Sequence, residues 1–337
     1  MRPFLSICIP SYNRCFELKR LLDSIDTKYT DEIEIVVRED KSPSRLQIRE
    51  MITAYQEDCK YHITYIENED NYGYDKNIRM IAKTASGKWI IYMGDDDIFV
   101  SNSLDKYINF LKENDQLGYI LRRYRANYLD GTVEEYRFAN SNIFKKAGQE
   151  SVVDFFRRSV FISGFTFKKE LFNDYDCDEY DGTLLFQLYI QATICLEHPS
   201  AYCDIPITES IEGGIPYFGN SSAEKNLYKS GSITFSNSIN FLKQVRILSE
   251  SFDRKNNTNI TDFVMKEYSK YSYGYLHEHR DDGIKVFIEY AAAIKKIGLG
   301  DSFYFYIYFF MLLILGRNNC RVVIRNIKNF LGHTPKL

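Results

Sequence analysis

Residues 88–101 read "KWIIYMGDDDIFVS": an apolar run of strand type that ends in Gly94 and three consecutive aspartates. A short apolar run bounded by turn signals suits a buried strand. Asp95, Asp96 and Asp97 then stand at the strand's carboxyl end, the edge of an open α/β sheet at which ligands bind. Adjacent carboxylates repel at neutral pH unless a cation sits among them. Capping of a helix beginning near Ser101 or Asn102 would use one of them and leave the others without a purpose. A hard divalent cation, Mn2+ or Mg2+, takes carboxylate oxygens together with phosphate oxygens. Held that way, it neutralises a leaving diphosphate as a Lewis acid.

Outward from this stretch, strands alternate with helices. "FLSICIP" (4–10), "EIEIVVRED" (32–40) and "HITYIENE" (62–69) read as strands. "CFELKRLLDSI" (15–25) places Phe16, Leu18, Leu21, Leu22 and Ile25 at helical spacing, and 45–58 and 74–86 are helical in the same way. The alternation predicts an α/β fold with a mainly parallel sheet flanked by helices. "PSYNR" (10–14) and "EDKS" (39–42) fall at neighbouring strand ends. Further on, a helix is predicted over 101–115, a strand pair within 117–138, a strand leading into a helix over 161–172, and a helix over 182–197. "ESIEGGIPYFGNSSAEKN" (209–226), rich in Gly, Ser and Asn, predicts a mobile loop over the site. From 232 onward the pattern is helical, which divides the chain into a catalytic domain over 1–230 and a helical extension over 231–337.

Composition narrows the function classes. A net charge of −3 over 337 residues excludes nucleic-acid binding by bulk electrostatics. Seven scattered cysteines without a Cys-x-x-Cys pair predict reduced thiols in a cytoplasmic protein. "MRPFLSICIPSYNR" lacks the apolar core of a signal peptide. No Walker-type loop, G-x-G-x-x-G, zinc spacing or Ser/His/Asp order competes. His277 and His279 are expected on the surface.

With these residues in order, the chain resembles the family 2 glycosyltransferases of GT-A fold, which transfer a sugar from a nucleotide diphosphate with inversion. The resemblance covers residues 3–110 and weakens toward about residue 200. It rests on "SICIPSYNR", "EIVVREDKS" and "NEDNYGYDKNIRMIAKTASGKWIIYMGDDD" taken together. "FISGFTFKKELF" and "YDGTLLFQLYI" look most like bacterial O-antigen and capsule transferases of the abequosyltransferase-like group. The resemblance implies a Rossmann-like GT-A sheet and a set of roles. Pro10, Tyr12, Asn13 and Arg14 line the nucleotide, and Asp40 binds the base, with Glu39 beside it. Asn71, Gly73 and Asn77 lie near the diphosphate. Asp95 and Asp97 form the DxD motif, Asp97 as metal ligand and Asp95 nearer the ribose, and Asp96 serves either. Gly94 stands where the family often has Asp, so the aspartates can register one position either way.

An inverting displacement needs a carboxylate to take the acceptor's proton. The resemblance places it before a downstream helix, within "NDYDCDEYDGTLLFQL" (173–188). Asp181 aligns best, with Glu179 and Asp178 in reserve; capping of the helix by Asp181 is the structural alternative. The implied partners are a nucleotide-diphosphate sugar and a glycan or polyprenyl-diphosphate-linked oligosaccharide. A sugar nucleotidyltransferase, or a non-catalytic binding protein that kept the fold, are the rival readings.

"FYFYIYFFMLLIL" (303–315) is apolar on every face and shorter than the roughly 20 residues of a membrane span. Lys295 and Lys296 precede it and Arg317 follows. Beyond it, Arg321, Arg325 and Lys328 fall on one helical side and Val323, Ile327, Phe330 and Leu331 on the other. This predicts peripheral contact with the cytoplasmic face of the bacterial inner membrane, with a homo-oligomer interface or a packed lid as alternatives.

Overall fold

The computed structural model describes residues 2–331; the side chains of Arg325 and of 327–331 fall outside the description. The faces expected of Arg325, Ile327, Lys328, Phe330 and Leu331 therefore lie outside the described residues. The chain forms two compact units, Met1–Asn226 and Leu227–Thr334.

The first unit is built on one sheet. Strands β1 (Leu5–Ser11), β2 (Ile33–Glu39), β3 (His62–Glu67) and β4 (Trp89–Tyr92) are parallel, in the order β3-β2-β1-β4. Helices α1 (Cys15–Asp23), α2 (Arg45–Asp58) and α3 (Tyr74–Thr84) connect them. Leu5, Ile7, Ile9, Ile35, Val37, Trp89 and Ile91 form one side of the core against α1 and α2. Strands buried on both faces read as apolar runs rather than as alternation, so this half was legible.

The second half of the sheet is mixed. It contains β5 (Ile98–Phe99), β6 (Tyr119–Asn127), β7 (Val133–Tyr136), β8 (Ile143–Lys145), β9 (Phe165–Lys168) and β10 (Ser200–Ile211), with helices α4 (Leu104–Glu113), α5 (Gln149–Phe156), α6 (Lys169–Tyr175) and α7 (Phe186–Glu197) around them. β9 runs antiparallel between β4 and β6. Both Ile91 and Ile120 pair with Thr166, so β4 and β6 end at the same edge. The expected mainly parallel sheet is thus unbroken up to β4; beyond it β10 is again parallel to β6, while β5, β7, β8 and β9 run antiparallel to their neighbours. β10 escaped the sequence reading because Pro206 interrupts it; the register shifts there, a bulge that tolerates a residue without an N–H.

The second unit is helical: α8 (Phe235–Asn256), α9 (Thr261–Lys270), α10 (Tyr273–Glu278), α11 (Ile284–Ile294) and α12 (Phe303–Leu331). Thr234 caps α8 by accepting from the Asn237 N–H. His279 is buried rather than on the surface. Its Nε2 lies 2.8 Å from Ser238 Oγ and its Nδ1 lies 2.8 Å from Asp282 Oδ2. In this spatial Ser–His–Asp array Ser238 and His279 are buried and Asp282 is exposed, and it ties α8 to the turn before α11. Burial, followed by Arg317 and Arg321, pulls His277 down to about 4.

Gly316, at φ 75°, breaks α12 into two helical pieces. By length and composition alone Phe303–Ile324 would suffice to cross a membrane, longer than the sequence reading allowed, and little of it is buried. Phe305, Leu312 and Cys320 pack inward, and the Phe309 ring lies 5.4 Å from that of Phe287 on α11. Phe303, Ile307, Phe310 and Ile314, spaced along one face, are exposed.

Candidate active site

The cation among the aspartates is Arg14. Its Nη1 lies 2.8 Å from Asp95 Oδ1 and its Nη2 lies 3.0 Å from Asp96 Oδ2. The other Asp95 oxygen accepts from the Tyr12 N–H at 2.9 Å. Burial still pushes Asp95 up to about 6, with Arg14 pulling the other way. α4 does not begin until Leu104, so helix capping is not what the triplet does.

Asp97 is different. It is buried, it accepts from Ser163 Oγ, and no Lys or Arg forms an ion pair with it among the described residues. Burial, and after it the charge of Asp96, push it up to about 7. Ser163 Oγ in turn accepts from the Gly94 N–H at 2.9 Å, which fixes the turn. Among the described residues no group of three or more His, Cys, Asp and Glu side chains forms a cage for a metal ion. A buried carboxylate that forms no ion pair, with the buried Arg122 acting on it only at longer range, fits the pattern of a divalent ion held by one or two carboxylates and otherwise by phosphate oxygens and water. The residues present therefore fit Mn2+ or Mg2+ at Asp97.

Tyr12 and Asn13 stand beyond the end of β1, and Pro10 lies within it. Asn13 adopts φ 58° and, instead of capping α1, donates through Nδ2 to the Tyr217 hydroxyl at 3.2 Å. Asp40 accepts from the N–H groups of Tyr72 (2.7 Å) and Gly73 (2.8 Å) and from Asn68 Nδ2 (2.7 Å); burial pushes it up to about 6. Asn77 accepts from Asn68 Nδ2 and donates to the Arg38 carbonyl. In this structure the side chains of Asp40 and Asn77 are thus turned to the protein itself, and they shape the loop that carries Asn71 and Gly73. Glu39 does similar work for the next turn, accepting from the N–H groups of Lys41 and Ser42 and from Arg45 Nε. Gly73 has φ 76°, and a Cβ there would lie 2.3 Å from Ser221 Oγ.

That close approach comes from 212–226, the segment after β10, which is packed onto the corner. Arg14 Nη2 donates to the Ile215 carbonyl at 2.7 Å, and its guanidinium lies 5.1 Å from the Tyr217 ring centroid. The Tyr12 and Tyr217 rings are 5.4 Å apart. Glu224 accepts from the N–H groups of Tyr74 and Gly219 at 2.7 and 2.8 Å, which places a carboxylate at the N-terminus of α3. Sequence reasoning missed Tyr217, Glu224 and Ser163; composition alone marked the segment.

A second carboxylate cluster lies in 176–186. α7 starts at Phe186, so Asp181 is no helix cap either. Arg79 on α3 donates from Nη1 to Asp181 Oδ2 at 2.7 Å and from Nε to Asp176 Oδ1 at 2.7 Å. Asp181 Oδ1 is buried without a hydrogen-bond partner, whereas Asp178 and Glu179 are exposed. Burial raises the Asp181 pKa, with Arg79 opposing. One turn before Arg79, the fully buried Asp75 accepts from the N–H groups of Gly182, Leu184 and Phe186; burial pushes it up to about 7. Arg79 and Asp75 were also missed, since nothing in a helix names partners a hundred residues away.

Comparison with known proteins adds a family. The model described as "Glycosyl transferase family 2" matches residues 6–175, which include the acidic corner but not Asp181. An uncharacterized glycosyltransferase of Haemophilus influenzae is 28% identical over 116 residues, 34% of this chain and 37% of its own. The abequosyltransferase RfbV of Salmonella typhimurium is 27% identical over 213 residues, 58% of this chain and 63% of its own. The chain thus spans less than two thirds of these relatives' length. Among solved structures, S. aureus TarS 1–349 in complex with UDP-GlcNAc matches with a TM-score of 0.57 at 14% identity, covering 97% of this chain and 92% of that one. That likeness concerns the fold.

Proposed function

The chain belongs to glycosyl transferase family 2, and from that premise we propose a metal-dependent inverting transfer of a sugar from a nucleotide diphosphate to a glycan or polyprenyl-diphosphate-linked oligosaccharide of a bacterial surface polysaccharide. The observation that carries the metal is Asp97, a buried carboxylate beyond the carboxyl end of β4 that forms no ion pair among the described residues, the buried Arg122 acting on it only at longer range. Asp97 would hold a divalent ion, with Asp95 beside it; bound there, the ion supplies Lewis-acid stabilisation of the departing diphosphate. RfbV is named an abequosyltransferase and TarS was solved in complex with UDP-GlcNAc, which supports a nucleotide-sugar donor.

The protein's own groups do the rest. Tyr12, Asn13 and Tyr217 form an aromatic and amide wall for the nucleotide. Asp181 Oδ1, the unpartnered oxygen, takes the acceptor hydroxyl proton as that oxygen bonds to the anomeric carbon. The bond from that carbon to the diphosphate breaks with its electron pair, and the nucleoside diphosphate leaves. A thermal-shift screen of nucleoside diphosphates with and without Mn2+ tests the donor side. One nucleotide should raise the melting temperature only with metal, and Asp97→Asn should lose that increment. Stabilisation by every nucleotide irrespective of metal would remove the metal from the proposal.

The exposed stripe Phe303, Ile307, Phe310 and Ile314 supports peripheral membrane contact where a polyprenyl-linked acceptor resides. Gly316 ends the apolar helix after residues 303–315, roughly 20 Å at 1.5 Å per residue, short of a bilayer core. Lys295, Lys296 and Arg321 lie near its ends, suited to anionic headgroups. Full-length protein should co-sediment with anionic vesicles. Ile307→Glu/Ile314→Glu should reduce that at least about tenfold, since each buried aliphatic side chain contributes about 1.5–3 kcal/mol. Equal sedimentation of both proteins would contradict surface attachment.

A further inference from the structure

The mechanism above uses Asp181 but leaves unexplained why it, among the acidic residues of 173–181, is oriented. α3 supplies the orientation. Two residues one turn apart on it, Asp75 and Arg79, grip the same loop with opposite charge. Asp75 holds the backbone after Asp181 through the amides of Gly182, Leu184 and Phe186 at 2.7–2.9 Å. Arg79 holds the side chain of Asp181 and, through Nε, that of Asp176. The loop needs this grip, because Leu184 is kept at φ 65°, a conformation uncommon for a non-glycine residue.

Resting on the reading of Asp181 as the base, we propose that Arg79 is a positioning residue for the transfer reaction: it fixes Asp181 Oδ2 and thereby presents Oδ1 as the proton acceptor. A guanidinium fork suits this because it is planar and always charged. Held at Nη1, the carboxylate keeps one oxygen tied and leaves the other, the buried Oδ1, without a partner; without Arg79 neither oxygen is tied. Arg79 is buried, and its Asp176 contact, shared with Lys83, keeps the fork from swinging. The same ion pair favours the charged form that a proton acceptor needs, opposing the burial that raises the Asp181 pKa. The groups facing Asp181 are Arg79 and Lys76 from α3, which favour the charged form, and Asp178 on its own loop, which opposes it. Asp75, buried on α3, also interacts with it.

The test uses the full chain with 13C-labelled aspartate, the Asp181 carboxyl signal being identified by its loss in Asp181→Asn. In Arg79→Met the Asp181 titration should move up by about 1–3 pH units, the effect of removing an adjacent opposite charge. With the donor found by the nucleotide screen, turnover should fall about 10²-fold while donor affinity is unchanged, the scale of a misplaced reacting group. Guanidinium chloride at millimolar concentration should restore part of the turnover. Arg79→Lys, which keeps the positive charge, should hold the Asp181 titration closer to wild type and retain more of the turnover than Arg79→Met does; unchanged donor affinity in Arg79→Met shows that the variant is folded. An unmoved Asp181 titration, or turnover equal to wild type in Arg79→Met, overturns the positioning role while leaving the base assignment standing if Asp181→Asn is inactive. Full turnover in Asp181→Asn overturns the base assignment, and the role of Arg79 with it.

Discussion

Two carboxylate clusters in the first unit are each met by one arginine, and they are met differently. At the end of β4, Arg14 comes from the loop after β1 and divides itself between Asp95, Asp96 and the Ile215 carbonyl of 212–226. In 176–186, Arg79 comes from the middle of α3, and its charged contacts are Asp176 and Asp181. The first arginine is tied to a segment rich in glycine, the second to a helix. Among the described residues, the first cluster leaves an entire carboxylate, Asp97, without an ion pair, and the second leaves a single oxygen, Asp181 Oδ1, without a hydrogen-bond partner. A bound cation needs a free carboxylate, whereas a proton needs one aimed atom. Local mobility is acceptable in the first case and harmful in the second.

The largest expected effect follows from that contrast. Asp181→Asn removes the aimed atom and should cut turnover about 10³-fold, within the usual range for general-base catalysis, with the metal-dependent nucleotide shift intact. Turnover within a few fold of wild type would erase the distinction between the clusters.

The next concerns the ties. Arg14→Gln removes a charged donor to the Ile215 carbonyl, a bond of about 1.5–3 kcal/mol. Amide exchange within 212–226 should accelerate about tenfold or more, while 176–186 is unaffected. Arg79→Met should do the reverse. Equal acceleration of both segments in either variant would show that they form one cooperative element.

The smallest effect is on stability. The folded pKa of Asp97, about 7, stands above its ordinary 3.8. The folded state therefore holds that proton more tightly than the unfolded chain. The resulting stability is fully present below about pH 4 and is lost as pH rises through 7. In chelator, Asp97→Asn should melt a few degrees above wild type at pH 8, with the difference closing toward pH 4. A pH-independent difference would mean that Asp97 is not the uncompensated carboxylate.

Much of this was visible in sequence. The strands β1 to β4, their helices, and the placing of Asp95–Asp97 at a strand end follow from local periodicity, because parallel strands buried on both faces leave an unambiguous apolar trace. β9 and α6 follow the strand and helix expected over 161–172, whereas β10 was missed because Pro206 breaks it at a bulge. The site divides along the same line. Asp97 and Asp181 were picked out by motif and position, while Tyr217, Glu224, Ser163, Asp75 and Arg79 carried no local signal.

The sequence by itself determined which residues end each strand of the parallel half, and hence that acidic groups gather at one edge. What neutralises them was decided by tertiary structure alone. Arg14 meets Asp95 across 81 residues, and Arg79 meets Asp181 across 102. Periodicity reports which way a side chain faces within its own element. The partner it finds there depends on which elements pack together, a matter of long-range closure that no window of neighbouring residues contains.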